Sequence, residues 1–217
     1  MPDETTERAG EVIPWERRSE MDLETAFAKT VAAFLHPRKA WDATPEGGGY
    51  SGPLIFAAVC GAVGSLFTAA YNLVLFQWML RRNPTLRPPN LPWISGRALL
   101  PLSKINIVIS PIVNGVVVTL FVFVVAAVIH AGVLLVGGRK RSTSGFERSF
   151  RVAAYGSAGL VGQVVPLVGS LIAFVWCLVL VFPGVARMHR MSLGRAVAAL
   201  VLPFAILLLV MLAATSR

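Results

Sequence analysis

Apolar positions follow two regimes along this chain. Up to Glu46 they are spaced among polar residues, whereas beyond it four stretches, 47–80, 105–138, 152–186 and 196–216, contain no charged side chain. A helix of about twenty apolar residues crosses the hydrocarbon core of a bilayer, so lipid is the solvent that hides such surface. The expected fold is all-α: an integral membrane helical bundle with five transmembrane helices, preceded by an N-terminal interfacial amphipathic helix.

The first span is expected over about 53–80, with Pro53 near its start and Trp78 near the far headgroup level, followed by Arg81 and Arg82. Ala57, Gly61, Ser65 and Ala69 fall four residues apart along it, a line of small residues that lets another helix approach closely. The proline-rich segment 81–104 reads as a loop that is not helical throughout, with Trp93 able to anchor it at the interface. Ser110-Pro111 reads as N-cap and first residue of a second span ending near residue 136. The stretch 152–186 is too long for one ordinary span. Residues 162–169, with Pro166, supply a turn that divides it into spans at 152–165 and 167–186. A last span over 196–214 carries Pro203, the expected site of a kink. Residues 47–217 thus form the transmembrane domain.

Residues 1–20 are polar and acidic, with no apolar core region and no small-residue cleavage site, and are expected to form an uncleaved, disordered cytoplasmic tail. Residues 21–46 are expected to hold the amphipathic helix and a linker. In them Leu23, Phe27, Val31, Phe34 and Leu35 recur at helical spacing and lead to Trp41. Two placements stay open: Phe27, Phe34 and Trp41 face acyl chains, or the same face packs on the bundle. Asp22 and Glu24 weaken attraction to anionic lipid. Gly47, Gly48 and Gly49 make a flexible joint.

Charge then decides orientation. With five spans, fourteen lysines and arginines fall on the N-terminal side of the membrane and six on the other, against twelve and eight for four spans. Positive-inside logic therefore favours five spans with a cytoplasmic N-terminus and an external C-terminus. The net charge of +9 sits in short clusters at the edges of apolar segments, among them Arg139, Lys140 and Arg141, and no nucleic-acid partner is expected. Those three arginine and lysine side chains, with Phe27, Phe34 and Trp41, are the expected contacts to lipid or a partner.

Several chemistries are disfavoured. Ten of the eleven carboxylates lie at or before Glu46, and the last is Glu147, so proton relays, metal sites and carboxylate catalysis within the bundle are not expected. No cofactor or metal is expected. Cys60 and Cys177 lie inside apolar segments without metal-type spacing and read as small buried hydrophobes. Gly156-Ser157-Ala158-Gly159 is similar to a nucleophile loop and His130 lies in the preceding span, but no further donor cluster is visible, so catalysis is not expected. Asn72, Gln77, Asn106, Asn114, Thr119 and Gln163 are polar groups at or near membrane depth. They either line a path or bond between helices, and without a buried charge or a duplicated half the second is preferred.

Tyr50-Ser51-Gly52-Pro53-Leu54-Ile55-Phe56 resembles the Gly-Pro-Leu signature that opens the first span of the Yip family, the Ypt/Rab-interacting membrane proteins. His130, Leu134-Leu135-Val136-Gly137-Gly138, the run from Ser144 through Tyr155-Gly156, and the later Pro166, Gly169 and Trp176 resemble that family's subsequent elements in order and spacing. The resemblance covers about 27–214 and implies five spans with a cytoplasmic N-terminus. Eukaryotic relatives bind prenylated Rab-type GTPases at Golgi and endoplasmic reticulum membranes. Tyr50 and Ser51 stand where their pattern carries an acidic residue, and the composition resembles the prokaryotic branch, so Rab binding is not expected. The resulting expectation is a non-enzymatic membrane scaffold or organiser in a prokaryotic cytoplasmic membrane. Its expected partners are the lipid bilayer, a membrane or cytoplasmic protein, and a second copy of the chain in a homo-oligomer. The alternative is a small permease or channel subunit.

Overall fold

The computed structural model describes residues 12–82, 96–137 and 145–215. They are helical: a 3-10 helix at Pro14–Glu20, then α1 Leu23–Ala33, α2 Pro37–Asp42, α3 Ser51–Arg82, α4 Gly96–Leu135, α5 Gly145–Gly156 continued by a 3-10 helix at Ser157–Val164, α6 Gly169–Met188 and α7 Leu193–Thr215. Four helices are long and apolar enough to cross a membrane among the described residues, namely α3, α4, α6 and α7. α5 is too short for that group and carries Glu147, Arg148 and Arg151. The expected third span therefore does not stand as an apolar membrane helix of its own.

Two boundaries differ from expectation. The helix α4 does not begin at Ser110-Pro111 but at Gly96, and runs through both Pro101 and Pro111. Its residues 105–109 are apolar apart from Asn106, and unwinding them in hydrocarbon would leave backbone N–H and C=O groups unpaired, a cost that outweighs proline's preference for a helix start. Likewise, the expected tail does not extend to residue 20. Pro14–Glu20 is folded, with Trp15 wholly buried, because the indole has an apolar site to fill on α3 and α1.

The small-residue line on α3 is an inward face: Ala57, Gly61, Ser65 and Ala69 are all buried. A Cβ on Gly61 would lie 2.6 Å from Val118 Cγ2, so this face receives α4. A second close approach follows from geometry that glycine alone permits. A 3-10 helix has three residues per turn, so Gly156, Gly159 and Gly162 share one face. Added Cβ atoms there would meet Val181, Cys177 and then Ile172 with Ala173, successive turns of α6 read backwards. The 3-10 continuation and α6 are therefore antiparallel, backbone against backbone. The turn between them, 165–168, contains Pro166 and holds Leu167 at a φ of 66°, and Gly169 starts α6 against the backbone of Gln163.

One end of the bundle is covered by residues 12–46. There the aromatic rings Trp15, Phe56, Tyr155, Phe34 and Trp41 follow one another with centroids 5.1–5.9 Å apart. This cap end contains most of the large buried side chains, Arg151 among them.

Candidate functional site

The cap is fastened by polar groups that the chain brings together from far apart in sequence. The Trp15 backbone N–H donates to Thr30 Oγ1 at 2.8 Å, and its indole Nε1 donates to the Gly52 carbonyl at 2.7 Å, on the first turn of α3. Trp41 is seated similarly: its Nε1 donates to the Leu180 carbonyl at 2.9 Å, and its ring occupies a notch that a Cβ on Gly184 would fill.

Next to Trp15, the Glu16 carboxylate enters the bundle. Its Oε1 accepts from Arg151 Nη1 at 2.6 Å and from the Tyr155 hydroxyl at 2.5 Å. Arg151 is fully buried, and its Nη2 also donates to the Gly49 carbonyl at 3.2 Å. Glu147, one turn earlier on α5, lies 3.6 Å from Arg151 Nε and accepts from the Gly49 N–H at 2.8 Å. The triple-glycine joint is thus tied down at Gly49. A guanidinium without a partner in this position would be very costly, so each acid here compensates a buried charge.

A second group lies at the rim. Glu46 accepts from Arg148 at 2.5 Å and from Arg190 at 2.8 Å, while Asp42 pairs with Arg187 at 3.3 Å. Just beneath, Ser149 Oγ and His189 Nε2 are 3.1 Å apart, and His189 Nδ1 is buried without a hydrogen-bond partner. Burial, followed by the positive charge of Arg148 and the nearby His130, pushes the His189 imidazole down to about 4, so it is neutral near pH 7.

The expected site residues therefore divide. Gly52, Pro53 and Leu54 begin α3, where Gly52 receives Trp15; Tyr155 binds Glu16; Gly156 abuts Val181; Pro166 and Gly169 frame the turn into α6. Phe34 and Trp41 are buried within the protein and Phe27 packs on Trp15 and Phe56. Of the two placements left open, the packing one describes these rings, and the expected lipid contact by Phe27, Phe34 and Trp41 is corrected accordingly. Leu23 and Leu35, on the same helical stripe, are the exposed members. Arg139, Lys140 and Arg141 lie outside the described residues.

The histidine and serine weighed as a hydrolytic pair are kept apart. His130 stacks edge-on against Phe146, whereas Ser157 lies eleven residues further along the same helical rod, roughly 16 Å at an α-helical rise, and donates to the Ala154 carbonyl. Ten of the eleven carboxylates precede the transmembrane domain in sequence, yet one of them, Glu16, reaches into the bundle. Its contacts with Arg151 and Tyr155 span more than 130 residues of sequence. Two sequence features offered a signal: an Ile13-Pro14-Trp15 cluster inside a polar segment, and Arg148 and Arg151 spaced three residues apart next to an uncharged run.

The arrangement fastens one segment of the chain to another. No curated protein matches the chain, and no solved structure does. The Yip1 domain, however, matches residues 31–215, leaving Trp15 and Glu16 just outside the matched region while their partners Gly52, Arg151 and Tyr155 lie within it. With most of its length matched, this multi-pass helical membrane protein belongs to the Yip1 domain family, whose members are generally non-enzymatic.

Proposed function

We propose that this chain is a five-span membrane scaffold with a cytoplasmic N-terminus and an external C-terminus, organising its membrane through protein or lipid contacts in the cytoplasmic membrane of a prokaryote. The fifth crossing in this reading is α5 with its 3-10 continuation. One observation carries it. Glu147, at the start of that rod, bonds to Gly49 just before α3, while Val164, at its end, accepts a hydrogen bond from Tyr71 well along α3. From Gly49 to Tyr71 a helix rises roughly 33 Å, comparable to the hydrocarbon thickness of about 30 Å. The rod runs the same height as α3 and in the same direction. It need not be strongly apolar, because Arg148 through Gly159 are buried by protein on all sides and do not meet lipid.

A scaffold is also favoured over a permease by how the polar groups at membrane depth are used. Asn114 Nδ2 donates to the Ser110 carbonyl and Thr119 Oγ1 to the Gly115 carbonyl, both within α4, and Gln163 Oε1 accepts from Thr68 of α3. These are intrahelical and interhelical bonds rather than the lining of a shared path.

Single cysteines at Val168 and Ser192, in a chain with Cys60 and Cys177 replaced by alanine, test the reading. Five crossings require Val168→Cys to react with an impermeant maleimide from outside the cell and Ser192→Cys only after the membrane is opened. The inverted pattern, with Val168→Cys protected until the membrane is opened and Ser192→Cys labelled from outside, removes the fifth crossing.

A further inference from the structure

We infer that the groove between α2 and the α6–α7 junction is a binding site for one anionic phospholipid of the leaflet on the cap side. The groove has a volume of about 690 Å³ and is open on one side. Its two walls differ in chemistry. Phe182, Pro183 and Leu193 line one part, at the ends of two membrane-crossing helices, and Leu193 is largely exposed. Arg38, Arg187 and Arg190 line the other, just past the last apolar turn of α6. The site therefore straddles the level where hydrocarbon gives way to headgroups. An amphiphile fits that profile, its phosphate among guanidinium groups and its acyl chain along the phenylalanine, proline and leucine. A soluble anion leaves the apolar wall unused.

The charge balance at the rim supports the same ligand. Asp42 pairs with Arg187, and Glu46 is shared between Arg190 and Arg148. Four arginines thus face two carboxylates, and Arg38 has no ion pair among the described residues. Arg187 and Arg190 are both more than half exposed at the side chain, which leaves donors free for phosphate oxygens. The assignment to the cytoplasmic leaflet rests on the topology proposed above, whereas the site itself does not.

The test uses purified full-length protein in mild detergent and phosphatidylglycerol or phosphatidylcholine carrying a photoreactive acyl chain, with crosslinks mapped by peptide. Phosphatidylglycerol should mark the peptides of α6 and α7 around Phe182 and Leu193 in preference to phosphatidylcholine. Arg38→Gln, which breaks no ion pair among the described residues, should reduce that labelling about fivefold. Arg38→Lys should retain most of it. Equal labelling by the two lipids, or no change on Arg38→Gln in a protein of unaltered melting temperature, overturns the site. So does competition by glycerol 3-phosphate as effective as by the lipid, which would make it a free-anion site. Crosslinking in native membranes at Leu193 that captures an acidic protein in place of lipid would overturn it as well. A failed topology with intact phosphatidylglycerol selectivity would move the site to the other leaflet and leave the ligand unchanged.

Discussion

Both ends of this bundle carry large apolar side chains, and they are solvated in opposite ways. At the cap end, Trp15, Phe34, Trp41, Phe56 and Phe150 are buried, and the polar atoms among them bond to named partners. Towards the far end, Val74, Leu75, Trp78 and Met79 of α3 are exposed, as are Phe204, Leu209, Met211 and Leu212 of α7. Only 13% of the apolar window of α7 is buried by the rest of the chain, which leaves the remainder to lipid or a neighbouring protein. Trp78 lies beneath the Arg82 guanidinium at 4.7 Å, an arrangement suited to the headgroup boundary. Hydrophobicity thus marks what leaves water without saying whether protein or lipid replaces it. What separates the two ends is the buried polar network, which only protein can satisfy.

The sharpest way to break the comparison is to remove charge from the cap end. Arg151→Ala leaves Glu16 and Glu147 without their shared partner, and losing one side of a buried pair costs about 3–5 kcal/mol. Thermal unfolding in detergent should show a large drop in melting temperature, and an unchanged value would mean that the network contributes nothing to the fold.

Acid should weaken the same end. Because the folded state holds His189 at about 4 and an unfolded chain restores its ordinary value of 6.5, the unfolded state takes up the proton first as pH falls. Stability from this group is complete above pH 6.5 and is lost progressively towards pH 4, by up to about 3 kcal/mol. His189→Gln removes that slope. Arg148, His130 and Ser149 surround this position in both proteins, and the carboxylates titrate in both, so the difference between their stability profiles isolates the histidine. Identical profiles from pH 7 to pH 4 would contradict the burial of this imidazole.

Smaller effects should follow at helix contacts. Gly61→Leu drives a side chain into Val118, and overpacking of this kind costs about 1–3 kcal/mol. Gly159→Ala meets the backbone of Cys177 and should cost a similar amount. Leu209→Ala, on the lipid-facing part of α7, should change stability by less than about 0.5 kcal/mol. If Leu209→Ala matched Gly61→Leu, the far end would be packed against protein after all.

How far the sequence revealed this fold depends on the range of the interactions involved. Uninterrupted apolar runs and small-residue spacing are local, and they located α3, α6, α7 and the inward face at Ala57, Gly61, Ser65 and Ala69. The start of α4 lies well before the expected Ser110-Pro111, since proline chemistry that signals a helix start in water is overridden in hydrocarbon. Gly162 opens the expected turn, and Gly156 and Gly159 flank the loop set aside as a nucleophile; their shared period of three matches neither α-helix nor strand, and it matches a 3-10 helix. The Glu16 contacts join the first twenty residues to α5, and no periodicity within one segment carries information about so distant a partner.

The fastening of residues 12–20 to the bundle is tested most directly by a double-mutant cycle on Glu16 and Arg151, using Glu16→Gln, Arg151→Gln and the pair, with unfolding free energies measured in one detergent. A buried ion pair at 2.6 Å predicts that the double variant is less destabilised than the two single losses added together, with a coupling of about 2 kcal/mol or more. Losses that add to within about 0.5 kcal/mol would show that Glu16 and Arg151 do not meet, and the cap would then have to be attached in some other way.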